Sequence, residues 1–77
     1  MNITLESFVG DEKLTVDDKS TVKSLKVYVE ENYGIKLHDQ ELMYGNNILE
    51  NDESLLQNYD ISNNSVINVN DKSRYLN

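Results

Sequence analysis

Cysteine is absent from this chain of 77 residues, and histidine occurs only once. Without thiols the chain has neither a disulfide framework nor a thiolate metal site, and nothing in it signals an oxidising compartment. The single His38 has no second imidazole or cysteine with which to build a zinc site or a nucleophilic triad. A glycine-rich phosphate cradle is missing as well. We therefore expect no metal, no cofactor and no enzymatic activity.

Long apolar runs and clusters of basic residues are also absent. Glu6 interrupts the N-terminal segment before a signal peptide could form, and no later stretch approaches the length that crosses a bilayer. Seven Lys and Arg face fourteen Asp and Glu, which gives a net charge of −7. Because phosphate groups are bound by clustered Lys and Arg, this charge disfavours nucleic acids and anionic membranes. The composition predicts a cytoplasmic or nuclear protein.

The length fits one domain with one core. Two segments alternate between apolar and polar residues, one around Ile3 and Leu5 and the other around Leu14 and Val16, which predicts two half-buried strands. Gly10 can take a positive φ and favours a hairpin between them. We expect a loop of several residues over 8–12, with Phe8 at its tip.

One amphipathic helix is predicted between residues 21 and 33. Its apolar residues recur at spacings of three and four, as on one helix face: Val22, Leu25 and Val29. Ser20 or Thr21 can cap its start, and Gly34 suits a left-handed helix end.

The second half of the chain reads as three further strands. Residues 41–44 alternate, residues 48–49 allow only a very short strand, residues 55–59 suit one helical turn, and residues 65–70 alternate again. The order predicts an α+β fold in which one main helix covers one face of a mixed sheet of four to five strands. We expect a domain over 1–70 and a flexible C-terminal tail over 71–77.

These segments, in this order and at this spacing, resemble the ubiquitin-like family over nearly the whole chain. The segments that carry the resemblance are 1–3, Gly10, Thr21-Val22, Leu25-Lys26, Gly34-Ile35, 39–44, 48–52, 56–61 and 65–67. The resemblance implies a β-grasp fold. It also implies that Tyr59 packs against the loop before it and that its hydroxyl group bonds to the backbone.

Conjugatable members of this family end in a Gly-Gly pair, because the activating enzyme reaches the terminal carboxylate through a narrow channel. In this chain no glycine follows Gly45, and residues 73–77 read Ser-Arg-Tyr-Leu-Asn. The resemblance therefore implies a non-conjugated module that docks ubiquitin-binding domains or receptors of the proteasome or a segregase. Two alternatives stay open: a decoy or regulator of ubiquitin-processing enzymes, and a divergent modifier whose native C-terminus lies beyond Asn77.

Relatives of this kind are bound through an apolar patch on the outer face of the sheet, built from three positions. Phe8 and Met43 match the first two positions, whereas Asn70 stands at the third. We expect Ile48 to point outward beside Met43 and to compensate for the change. The predicted partner-binding site comprises Phe8, Met43, Ile48, Asn68, Asn70 and Lys72.

The expected partner is an amphipathic helix or a three-helix ubiquitin-binding module that inserts apolar side chains into this site. Glu41 stands where the family usually has arginine beside the patch, while Lys72 keeps a basic group at the end of the last strand. Partners that recognise a basic rim should therefore bind this chain poorly. We expect the chain to be a monomer.

Overall fold

The computed structural model describes residues 1–75. The strands are β1 (Asn2–Ser7), β2 (Gly10–Thr15), β3 (Gln40–Tyr44), β4 (Asn47–Ile48) and β5 (Ser65–Asp71). Helix α1 (Val22–Tyr33) is the single α-helix of the described residues, and short 3-10 helices form at Leu37–Asp39, Leu56–Tyr59 and Lys72–Tyr75. In this part of the chain, no helix has both the length and the apolar character needed to cross a bilayer.

All five strands join one mixed sheet in the order β2-β1-β5-β3-β4. The central pair, β1 and β5, is parallel and sets Ile3 opposite Ser65, whereas the other pairs are antiparallel. One face of the sheet is covered by α1, because the inward residues of the strands and the apolar stripe of the helix are buried together. The predicted β-grasp fold is confirmed, with five strands.

Within the described part of the chain, twelve apolar side chains form the core, each at most 4% exposed. It lies between the sheet and α1 and includes the predicted helix stripe. Its members are Ile3, Leu5, Val22, Leu25, Val29, Ile35, Leu42, Leu49, Leu56, Ile61, Ile67 and Val69. Because alternate residues of a strand point to opposite faces, the residues between these on β1, β3 and β5 lie on the outer face of the sheet.

The ends of α1 follow the sequence signals. Thr21 is the N-cap, and its Oγ1 accepts a hydrogen bond from the Ser24 amide at 3.1 Å. Gly34 takes the left-handed conformation with φ of 75°, and its amide donates to the Glu30 carbonyl. These bonds satisfy backbone groups that a helix end would otherwise leave unpaired.

The first hairpin is tighter than the sequence indicated. The expected loop over 8–12 is wrong, because β2 already begins at Gly10 and only two residues connect the strands. The Ser7 hydroxyl fixes this turn, since it accepts from the Val9 amide and donates to the Gly10 carbonyl. Gly10 has φ of 110°, a value that side chains disfavour. Phe8 at the tip is 50% exposed, as expected.

The end of the described chain has more regular secondary structure than the sequence pattern indicated. Asp71 is the last residue of β5, one residue beyond the predicted domain boundary, and Lys72–Tyr75 forms a 3-10 helix. The Asp71 carboxylate stabilises this turn by accepting from the amide and the hydroxyl of Ser73, at 3.0 and 2.6 Å. Residues 76 and 77 of the predicted tail lie outside the described residues, and the flexibility of 71–77 stays a prediction.

Two polar side chains bind the loops to the core. The Tyr59 hydroxyl accepts a hydrogen bond from the Asn51 amide at 3.2 Å, as the resemblance implied. Gln40 is buried on β3, and its Nε2 donates to the carbonyls of Lys26 and Ile35 at 2.8 and 3.0 Å. Gln40 thereby ties the sheet to α1 and to the segment that follows it.

Candidate functional site

One row of side chains crosses the outer face of the sheet. Met43 lies opposite Ile48 of β4 on one side and opposite Asn68 of β5 on the other. Directly opposed residues share a face and touch each other. Ile48 is 41% exposed, whereas Leu49 is only 1% exposed, so the predicted outward orientation of Ile48 is confirmed. The row offers an apolar pair, Met43 and Ile48, on the face opposite the helix.

Phe8 lies at the end of the hairpin and is partly covered. The guanidinium carbon of Arg74 stands 3.9 Å from the centroid of the Phe8 ring, which is a cation–π contact. The Nε of Arg74 also lies 3.7 Å from the Asp71 carboxylate. The sequence interpretation missed this contact because it treated residues 71–77 as a tail.

The structure places the six predicted site residues along one band, but it does not gather the three apolar ones into one cluster. Strand β5 lies between β1, which leads to Phe8, and β3, which carries Met43, so Asn68 and Asn70 separate them. The Nδ2 of Asn70 donates to the Met43 sulfur at 3.9 Å. Lys72 is exposed and lines a surface cavity together with Ile48. Their role in binding stays a prediction.

Acidic residues border this band. Glu6 of β1 lies opposite Asn68 on one side and opposite Asp11 of β2 on the other, which brings two exposed carboxylates together. Glu41 lies opposite Asn70 on the same face. Glu41 was predictable from the sequence, but the pair of Glu6 and Asp11 was not, because Asp11 was expected in a loop.

A separate polar cluster joins the hairpin to α1 on the inner face. The carboxylate of Glu12 accepts hydrogen bonds from the hydroxyl groups of Tyr28 and Tyr33, both at 2.6 Å. The bond from Tyr28 and then that from Tyr33 lower the pKa of Glu12. Burial, followed by the bond to Glu12, raises the pKa of Tyr33. Glu12 is therefore held by two hydrogen bonds to the helix, whereas the sequence had indicated a loop residue.

Lys26 and His38 each lie beside an acidic side chain. Lys26 forms an ion pair with Asp52 at 2.8 Å, and the Lys26 side chain is only 14% exposed. The His38 side chain is 77% exposed, with its Nε2 at 3.6 Å from the Asp39 carboxylate. Among residues 1–75, no group of three or more His, Asp and Glu is placed to hold a metal ion.

Comparison with known families agrees with this architecture. The model of the ubiquitin family matches residues 3–74, which is nearly the whole chain. The chain therefore belongs to the ubiquitin family. A comparison with curated proteins finds no match.

Proposed function

We propose that this chain is a non-enzymatic, ubiquitin-like interaction module. It docks ubiquitin-binding domains, or receptors of the proteasome or a segregase, through the outer face of its sheet. The binding site comprises the band of residues already described, in which Met43 and Ile48 form the apolar pair. We also propose that it acts as a monomer in the cytoplasm or nucleus, in line with its composition.

The observation that supports this proposal best is the opposed pair of Met43 and Ile48 on a face that the helix does not cover. The Met43 side chain is half-buried and Ile48 is 41% exposed, so both present apolar surface beside the polar side chains of β5. The sheet beneath them is held by the buried core. An amphipathic helix docks on such a surface without any large rearrangement of the domain.

The proposal predicts that Met43→Asp weakens the binding of a ubiquitin-binding helix. The carboxylate would have to be desolvated against an apolar side chain of the partner, and we expect a loss of at least tenfold in affinity. The measurement is a titration of the domain with a ubiquitin-interacting helical peptide, followed by the amide resonances of the domain. Shifts should centre on Phe8, Met43 and Ile48.

Gln57→Glu is the matched control, because it adds the same charge at an exposed residue of the 3-10 helix Leu56–Tyr59. It should leave the affinity within about twofold of the unchanged domain, since surface changes away from an interface have small effects. Amide shifts confined to the exposed side of α1 would contradict the proposed surface. So would equal binding by the Met43→Asp and Gln57→Glu variants.

A further inference from the structure

We infer that the partner is an amphipathic helix whose apolar stripe is bordered on one side by Lys or Arg, and that Glu6 and Asp11 bind this basic border. The inference rests on the proposed function, since it assumes that a helix docks on the outer face. Beyond the proposed function, the inference specifies the charge at one border of the partner helix and the side of the sheet that this border faces.

The two carboxylates continue the row that contains the apolar pair. Asp11 lies opposite Glu6, Glu6 opposite Asn68, Asn68 opposite Met43, and Met43 opposite Ile48. The row therefore runs from two acidic residues through one amide to two apolar residues. A single docked helix would meet both ends of this row.

Among the described residues the two carboxylates have no close ion-pair partner, although Lys13 lies on the same face of β2, two residues from Asp11. Like charges that face each other across two strands destabilise a sheet. No ion pair joins Glu6 or Asp11 to any of residues 1–75. Arg74, the basic residue that shares a surface cavity with Glu6, lies over the Phe8 ring and beside the carboxylate of Asp71. A cation supplied by the partner would offset this repulsion.

The dimensions of the sheet fit one helix that covers both ends of the row. Neighbouring strands lie about 4.8 Å apart, so the four steps from Asp11 on β2 to Ile48 on β4 span about 19 Å, and the three steps from Glu6 on β1 span about 14 Å. A helix with its side chains is about 10–12 Å wide. Placed along β5 and β3, it would cover Ile48 with one edge, and the long Lys or Arg side chains of its other edge would extend to Glu6 and, one strand farther, to Asp11.

The opposite border of the band has no single sign of charge. Glu41 and Lys72 line the same surface cavity as Ile48, so an acidic and a basic group lie together there. The charge preference therefore comes from the side of β1 and β2. This asymmetry would orient the helix, since its basic border must face Glu6 and Asp11.

Two stapled helical peptides test the inference. Both carry the same stripe of Leu and Ile, and one has lysines along one border where the other has glutamates. We expect the lysine peptide to bind about five- to tenfold more tightly in calorimetry at low salt. The preference should shrink in about 0.5 M NaCl, because exposed charges are screened. In the Glu6→Gln/Asp11→Asn variant it should fall to about twofold or less.

The Glu31→Gln/Glu53→Gln variant is the matched control. It removes the same number of negative charges at exposed positions on α1 and in a loop, away from the outer face. This variant should keep the preference for the lysine peptide. If it loses the preference as fully as Glu6→Gln/Asp11→Asn does, net charge alone explains the binding and the inference is overturned.

The amide resonances of the domain separate this inference from the proposed function. Equal affinity of the two peptides, with shifts around Met43, would overturn the inferred preference for a basic border and leave the proposed docking surface intact. Tighter binding of the glutamate peptide would overturn it as well. If neither peptide shifts the resonances of the outer face, the proposed function fails and the inference fails with it.

Discussion

Gln40 offers a direct test of how the sheet is joined to the helix. Its amide donates to two backbone carbonyls, those of Lys26 and Ile35, while its Oε1 is buried and accepts no hydrogen bond from the described residues. Two substitutions of similar size separate these features. Gln40→Leu removes the donor and the unpaired oxygen together, whereas Gln40→Glu replaces the donor with a carboxylate that faces two carbonyl oxygens.

The expected costs differ in size and in their dependence on pH. For Gln40→Leu, loss of two hydrogen bonds at about 0.5–1.5 kcal/mol each predicts a destabilisation of about 1–3 kcal/mol at any pH. In Gln40→Glu, burial beside carbonyl groups should raise the carboxyl pKa from about 4.3 to about 7 or above. At about 1.4 kcal/mol per pKa unit, the penalty at neutral pH is about 3–4 kcal/mol. A domain of this length has about 4–12 kcal/mol of stability in total.

The sign of the pH effect follows from the raised pKa. At about pH 3, well below the unfolded pKa of about 4.3, the carboxyl group is almost fully neutral in both states, so Gln40→Glu should recover most of its lost stability there. As the pH rises, the unfolded chain ionises first and the variant becomes less stable. The measurement is urea denaturation followed by circular dichroism at about pH 3 and about pH 7, with the unchanged protein as the reference. Equal destabilisation at both pH values, or a greater loss for Gln40→Leu at neutral pH, would refute the reasoning.

Two further predictions concern the hairpin cluster and the helix end. Because hydrogen bonds from Tyr28 and Tyr33 lower the pKa of Glu12 from its ordinary 4.5, its stabilising contribution is complete above that pH and is lost as the pH falls below it. Glu12→Gln should therefore flatten the acid side of a urea-midpoint profile, and an unchanged slope would contradict this. Gly34→Ala should cost about 1–2 kcal/mol, measured as a lower melting temperature, because φ is 75° there. Gly34→Asn should cost less, and equal losses would argue against a conformational cause.

Local patterns sufficed for the helix and the core. The spacing of Val22, Leu25 and Val29 identified the buried stripe, and Gly34 marked the helix end, because both signals depend on residues within one or two turns of each other. Alternation likewise placed Ile48 outward and Leu49 inward. These are the elements in which neighbours in the sequence determine the conformation.

Contacts between distant segments could not be predicted in the same way. The acidic Asp11 and Glu12 indicated a loop, yet both lie in β2, and the side chain of Glu12 is bound by Tyr28 and Tyr33 of the helix. No local pattern shows that two tyrosine hydroxyl groups will meet this carboxylate. The hairpin was therefore predicted too long.

In the candidate site, too, contacts between residues near in sequence were predictable and contacts between distant segments were not. The pairing of Met43 with Ile48 depends on a short hairpin and was predictable. The contact of Arg74 with Phe8 requires a turn at the end of β5 that the sequence pattern did not show. Likewise, the position of Glu6 beside Asn68 depends on the register of a parallel pair, which local alternation does not fix.

The parallel pairing of β1 with β5 has a consequence for the order of events during synthesis. The first and last strands are neighbours at the centre of the sheet, so β5 must leave the ribosome before β1 and β3 find their shared partner. Until then the first hairpin and α1 expose their apolar faces to other chains. Folds that must bring distant segments together generally expose apolar surface in this way while they form. Completion of the sheet therefore waits for β5, the strand to which both β1 and β3 pair.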